Sequence, residues 1–166
     1  MVSGNSKEPQ ISKIPRPRVL GGLTIKAATG CGNMYVHLTW YKGSLFEVFA
    51  TLGKSGGCAM GQAEAVTRGI TMGLRSGIPV DEYVDQLKGI TCQSPLPFPR
   101  DEAASSCPDA IARVLQKYGK LTVEQVARVI LKGDEIINGE SSEEEAQAMA
   151  TLEVLREERE KQDLYG

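Results

Sequence analysis

The strongest constraint on this chain is a change of hydrophobic period at the glycine cluster of residues 53–57. Ahead of it, Met34, Val36, Leu38 and Trp40 alternate with Tyr35, His37, Thr39 and Tyr41, the two-residue repeat of a strand with one buried face. Residues 19–27 alternate more loosely, and residues 45–51 are rich in Phe and Val. Lys42-Gly43-Ser44 supplies a short turn between the second and third runs, so an antiparallel meander opens the domain. Behind the cluster, Met60, Ala63, Val66, Ile70 and Leu74 recur at helical spacing, with a stop at Ser76-Gly77. A single switch from strand to helix period predicts an α+β fold: a small antiparallel β-sheet followed by three to four packed helices.

Val80, Tyr83, Val84 and Leu87 repeat the helical spacing, and Gly89 stands where a left-handed C-terminal cap is wanted. Residues 94–99, Ser-Pro-Leu-Pro-Phe-Pro, are extended, because each proline disfavours helix for its predecessor. A third helix begins at Cys107-Pro108, where proline suits the first helical position, and buries Ile111, Val114, Leu115 and Tyr118. A fourth follows Leu121, with Thr122 and Gln125 as a capping box ahead of Val126, Val129 and Ile130, and Gly133 as its stop. Beyond Ile137 the composition turns acidic, and Ser141-Ser142-Glu143-Glu144-Glu145 reads as the start of an acidic C-terminal helix. The expected division is a flexible lead over 1–17, a cysteine-bearing domain over 18–137 and an acidic helical tail over 138–166.

Composition narrows the function classes. The 166 residues allow one core and leave no room for a barrel of 200 or more residues, which needs about 250. Nineteen Lys and Arg against 21 Asp and Glu leave a net charge of −2, so there is no global positive field to attract nucleic acid; nucleic-acid binding is the weaker reading, with a local basic stripe left open. Charges and glycines interrupt every apolar run, so no membrane span is expected, and the lead lacks the apolar core of a secretion signal. Cytoplasmic localisation is the expectation.

Four cysteines, Cys31, Cys58, Cys92 and Cys107, fall singly, each beside chain punctuation at the end of an element. In a cytoplasmic chain that usage favours metal or redox chemistry over a disulfide framework. Loop tips and helix N-termini can converge on a tetrahedral zinc site, and the helix starts at Cys58 and Cys107 would favour the thiolate a metal requires. Inert packing and redox pairing are the competing readings. The neighbouring Gly30, Gly32, Gly56 and Gly57 favour a site, since packing alone does not call for them. Zinc and iron both accept tetrahedral sulfur.

Gly53, Lys54, Ser55, Gly56 and Gly57 lead into a helix N-terminus and form a candidate anion or nucleotide loop, with a tight strand-to-helix turn as the alternative. It is not a Walker A loop, because Val48 occupies the position of that motif's first glycine. His37 is the only histidine and lies opposite the buried face, which argues against a catalytic role. No paired acid–base dyad stands out, and no catalytic residue is assigned.

The cysteine contexts carry a resemblance. Thr29-Gly30-Cys31-Gly32-Asn33-Met34-Tyr35-Val36, Phe46-Glu47-Val48-Phe49, Leu52-Gly53-Lys54-Ser55-Gly56-Gly57-Cys58, Leu87-Lys88-Gly89-Ile90-Thr91-Cys92 and Ser105-Ser106-Cys107-Pro108-Asp109-Ala110-Ile111-Ala112 occur in order over residues 15–115. Together they resemble the TSCPD domain, found at the C-terminal end of adenosylcobalamin-dependent (class II) ribonucleotide reductases and in small stand-alone proteins. The naming motif begins with threonine, and here Ser105 stands in that place.

The resemblance implies a four-cysteine metal site, zinc, in a module associated with deoxyribonucleotide synthesis and hence DNA replication. The radical chemistry of such reductases belongs to a large barrel that holds cobalamin and nucleotide. Adenosylcobalamin is therefore expected only through a partner reductase catalytic subunit, and this chain alone is not expected to reduce ribonucleotides. Full-length enzymes also carry a mobile cysteine pair near the C-terminus, whereas residues 140–166 have no cysteine. The reading is a stand-alone zinc-binding accessory module, with a nucleotide- or phosphate-binding protein and a thiol redox protein as alternatives.

Overall fold

Strand β1 (Gly21–Thr29), β2 (Gly32–Tyr41) and β3 (Ser44–Leu52) form the meander, in the order β1-β2-β3, both pairs antiparallel. Four helices follow: α1 (Cys58–Arg75), α2 (Val80–Leu87), α3 (Cys107–Tyr118) and α4 (Val123–Lys132). This computed structural model describes residues 12–53, 57–96 and 104–132. It has the expected α+β arrangement, a three-stranded antiparallel sheet and then four helices. The chain divides into two units, Met1–Val126 and Ala127–Gly166. The expected acidic helix over residues 138–166 lies outside the described residues.

The alternation in β2 sets the inner face of the sheet. Met34, Val36 and Leu38 are fully buried, and their register partners Ala50, Val48, Leu52 and Leu23 continue that face across three strands. Helix α1 lies along β3 and α3 lies over β1 and β2, so the core closes between the sheet, Ala63, Thr67 and Ile70 of α1, and Ile111 and Leu115 of α3. Tyr83 of α2 packs so closely on Gly73 that a Cβ there would collide with the phenol oxygen. The register shift between Thr39 and Trp40 gives β3 an extra residue, so Leu45 faces Trp40 while Glu47 faces Thr39.

An edge strand leaves one row of backbone groups without a strand partner. On β3, the Thr71 hydroxyl of α1 answers both groups of Val48: it accepts from the amide at 2.9 Å and donates to the carbonyl at 2.8 Å. The residues ahead of β1 are tied in as well. The Ile14 amide donates to the Arg75 carbonyl at 2.9 Å, and the Arg75 guanidinium donates back to the Ile14 carbonyl. Arg16 donates through Nε to both carboxylate oxygens of Glu47 at 2.9 and 3.1 Å, and Arg75 stands 3.7 Å from the same carboxylate. Glu47 is almost wholly buried, and these two guanidiniums are what make that burial tolerable.

Local punctuation follows the sequence closely. Gly43, Gly77 and Gly89 all take positive φ at the turns where they were expected. Thr122 and Gln125 form the reciprocal capping box of α4. Strand β1 runs two residues later than the periodicity suggests, because its register with β2 carries pairing out to Thr29 and Gly32. In α4, Val126 is buried whereas Ile130 is exposed.

Candidate thiol site

The β1–β2 turn, the end of β3 and the start of α1 all lie at one pole of the sheet, because Thr29 pairs with Gly32 and Leu52 with Met34. That places Cys31, in the turn, and Cys58, the first residue of α1, at the same pole. Cys92 and Cys107 are brought there by a short tether between the segment after α2 and the start of α3. The Cys92 amide donates to the Ser105 carbonyl at 3.1 Å, and the Ser106 hydroxyl donates to the Ile90 carbonyl at 2.6 Å.

Asp109 locks this tether. Its carboxylate is fully buried and accepts from the Gly89 amide at 2.8 Å, the Ser105 amide at 2.9 Å and Arg113 Nε at 2.9 Å. Burial alone would raise its pKa, but the two amides and the Arg113 guanidinium outweigh that and hold the carboxyl below its ordinary value. Ser106 caps α3 by accepting from the Asp109 amide at 3.2 Å. Thus Ser106 and Asp109 build the helix start, Pro108 occupies its first turn, and Cys107 projects from it. The Ser-x-x-acid spacing was visible in the sequence as a capping-box pattern, yet the carboxylate bonds Ser105 and Gly89 instead of the cap residue's own amide.

The glycines around Cys31 have separate causes. A Cβ at Gly30 would collide with the Ser94 carbonyl oxygen, so glycine there admits the segment that carries Cys92. Gly32 takes φ of 119°, in the left-handed region that disfavours side chains. Thr29, buried beneath the turn, donates to the Gly32 carbonyl at 2.8 Å and accepts from the Cys31 amide at 3.3 Å.

Three thiols meet. Cys107 is buried, whereas Cys31, Cys58 and Cys92 are exposed, and all four are free. Burial pushes the Cys107 thiol up, the nearby charge of Cys31 adds to this, a hydrogen bond with Thr29 works against it, and the charge of Cys92 raises it further. The helix start at Cys107 was expected to favour the thiolate; burial, with the charge of Cys31 beside it, instead raises the pKa of this thiol. Among the described residues, no group of three or more Cys, His, Asp or Glu side chains stands in an arrangement that could hold a metal ion.

The family model of the TSCPD domain matches residues 7–119. The chain belongs to the TSCPD domain family. No solved structure matches it. The match takes in every strand, α1 to α3 and all four cysteines of this TSCPD domain.

Of the glycine-rich loop, Gly53 takes φ of 56° and Gly57 is the N-cap of α1 without a side-chain cap bond, while Lys54, Ser55 and Gly56 lie outside the described residues. His37 lies on the outer sheet face, hydrogen-bonded to the Thr24 and Thr51 hydroxyls at 3.0 and 3.4 Å, away from every cysteine. At the opposite pole, an open groove of about 920 Å³ runs between the β2–β3 turn and the ends of α1 and α3, walled by Phe46, Leu74, Ile78 and Leu121. Among the described residues, no helix is long and apolar enough to cross a membrane.

Proposed function

We propose that this TSCPD domain is a zinc-stabilised accessory module that acts with a class II ribonucleotide reductase catalytic subunit in deoxyribonucleotide synthesis. The observation that carries the reading is the gathering of Cys31, Cys92 and Cys107 at one pole, with Cys58 at a helix start on that same pole. An all-thiol donor set suits a tetrahedral soft metal. The exposed thiols of Cys31, Cys58 and Cys92 would have to turn toward Cys107 to close the site. Zinc bound there would be structural, because four protein thiolates leave no open position for water or substrate. Adenosylcobalamin and the radical chemistry would come from the reductase.

Elemental analysis of the purified protein tests the metal. About one zinc per chain is expected, lost together with thermal stability in Cys107→Ser. A metal-free protein whose exposed thiols label rapidly would overturn zinc in favour of thiol redox chemistry. The partner is tested separately, by sedimentation of the full chain with a class II catalytic subunit. Co-sedimentation that is lost on metal removal is expected, and independent migration of metal-loaded protein would refute the accessory role.

A further inference from the structure

The helices cover one side of the sheet, and among the described residues no element covers the middle of the other. There Tyr35 is 43% exposed and Phe49 39% exposed. Large apolar groups scattered singly over a surface need no explanation, but these two are neighbours on one face. Tyr35 pairs in register with Lys26 and Thr51, and His37 pairs with Thr24 and Phe49, so the two rings are diagonal neighbours across β2 and β3. Such diagonal positions stand about 7–8 Å apart, a spacing that successive bases of an unstacked strand can match. The His37 ring between them is held by Thr24 and Thr51.

The charge of this face suits a polyanion. Its one carboxylate among the described residues, Glu47, is buried under Arg16 and Arg75, while Lys26 is exposed beside Tyr35. The net charge of −2 for the whole chain conceals a split. Residues 1–132 carry sixteen Lys and Arg against ten Asp and Glu, and residues 133–166 carry three against eleven. The domain that bears the sheet is therefore cationic.

We propose that the outer sheet face is a platform for single-stranded nucleic acid, with one base stacked on Tyr35, the next on Phe49, and Lys26, on the side of Tyr35 away from Phe49, at the phosphate that flanks the Tyr35 base. Stacking of this kind tolerates any base, so the site would bind without strong sequence preference. The site is distinct from the thiol pole and its occupation does not depend on the metal.

Fluorescence anisotropy of a labelled oligothymidylate with the full-length, metal-loaded chain at low salt tests this. Binding is expected, with Tyr35→Ala and Phe49→Ala each weakening it about five- to 150-fold, while Tyr35→Phe and Phe49→Tyr, which keep the rings, retain it. Lys26→Ala should flatten the salt dependence by somewhat less than one unit of log–log slope. Circular dichroism melts of the alanine variants establish that they are folded. No binding of the oligonucleotide, equal affinity for duplex, or indifference to loss of both rings would each overturn the proposal. Capture of a protein partner by this face in place of the oligonucleotide would do the same.

Discussion

Asp109 shows how one side chain can serve a site it does not belong to. It holds Gly89 and Ser105 together, and so sets Cys92 beside Cys107. Asp109→Ala would strand two amides around a buried space and take one partner from Arg113, and a loss of about 3 kcal/mol is expected in urea unfolding of the metal-free protein. Gly30→Ala acts on the same pole by sterics, since the new Cβ drives the Ser94 backbone away. Its expected outcome is lowered zinc content with a smaller loss of stability, read by elemental analysis alongside thermal melting. Both effects were hidden in the sequence. The glycines around Cys31 pointed to a site, but only the packing of residue 94 on residue 30 separates Gly30, needed for close approach, from Gly32, needed for its φ.

The contacts between elements turn on a few polar side chains that periodicity does not register. Thr71 sits on the buried side of α1 and satisfies both outward groups of Val48, so the edge of β3 is closed by a helix side chain. Thr71→Val keeps the shape and removes both bonds; a cost of about 2 kcal/mol in urea unfolding is expected, because two buried backbone groups lose their partners. Arg75 is the second such residue. It bonds the Ile14 carbonyl, faces Glu47 and lies 5.3 Å from the centre of the Phe46 ring, whereas Arg16 is half exposed and bonds Glu47 and its own neighbour. Arg75→Ala should therefore destabilise more than Arg16→Ala, by about 1–2 kcal/mol, as measured by paired denaturant titrations. Strand and helix positions were legible because each repeats its burial at a fixed period. Glu47 was not, since a carboxylate in a strand reads as a solvated residue until its two arginines are seen.

At the scale of the whole molecule, the family match ends at residue 119 and the first unit at Val126, while the acidic composition begins beyond Ile137. Truncation at Asn138 is accordingly expected to leave the melting transition of the domain in place and to weaken any partner complex. Calorimetry of the truncated chain checks the first, and a truncated protein that does not fold would refute the separation. The charge split along the chain belongs to this scale too. A cationic domain and an acidic tail cancel to −2, so the overall balance conceals two parts of opposite sign.

The sequence by itself determined the element order and the α+β class, because hydrophobic period, turn glycines and helix caps are local properties written into neighbouring residues. It also determined the family, through five ordered blocks around four cysteines. Only the tertiary structure decided which residues meet. Cys31, Cys92 and Cys107 are far apart in the chain and come together through the strand register and the Asp109 tether. The rise in the Cys107 pKa, the burial of Glu47 and the open aromatic face were decided there as well. Each depends on which surfaces water can still reach once the sheet and helices have closed, and no local pattern of residues encodes that.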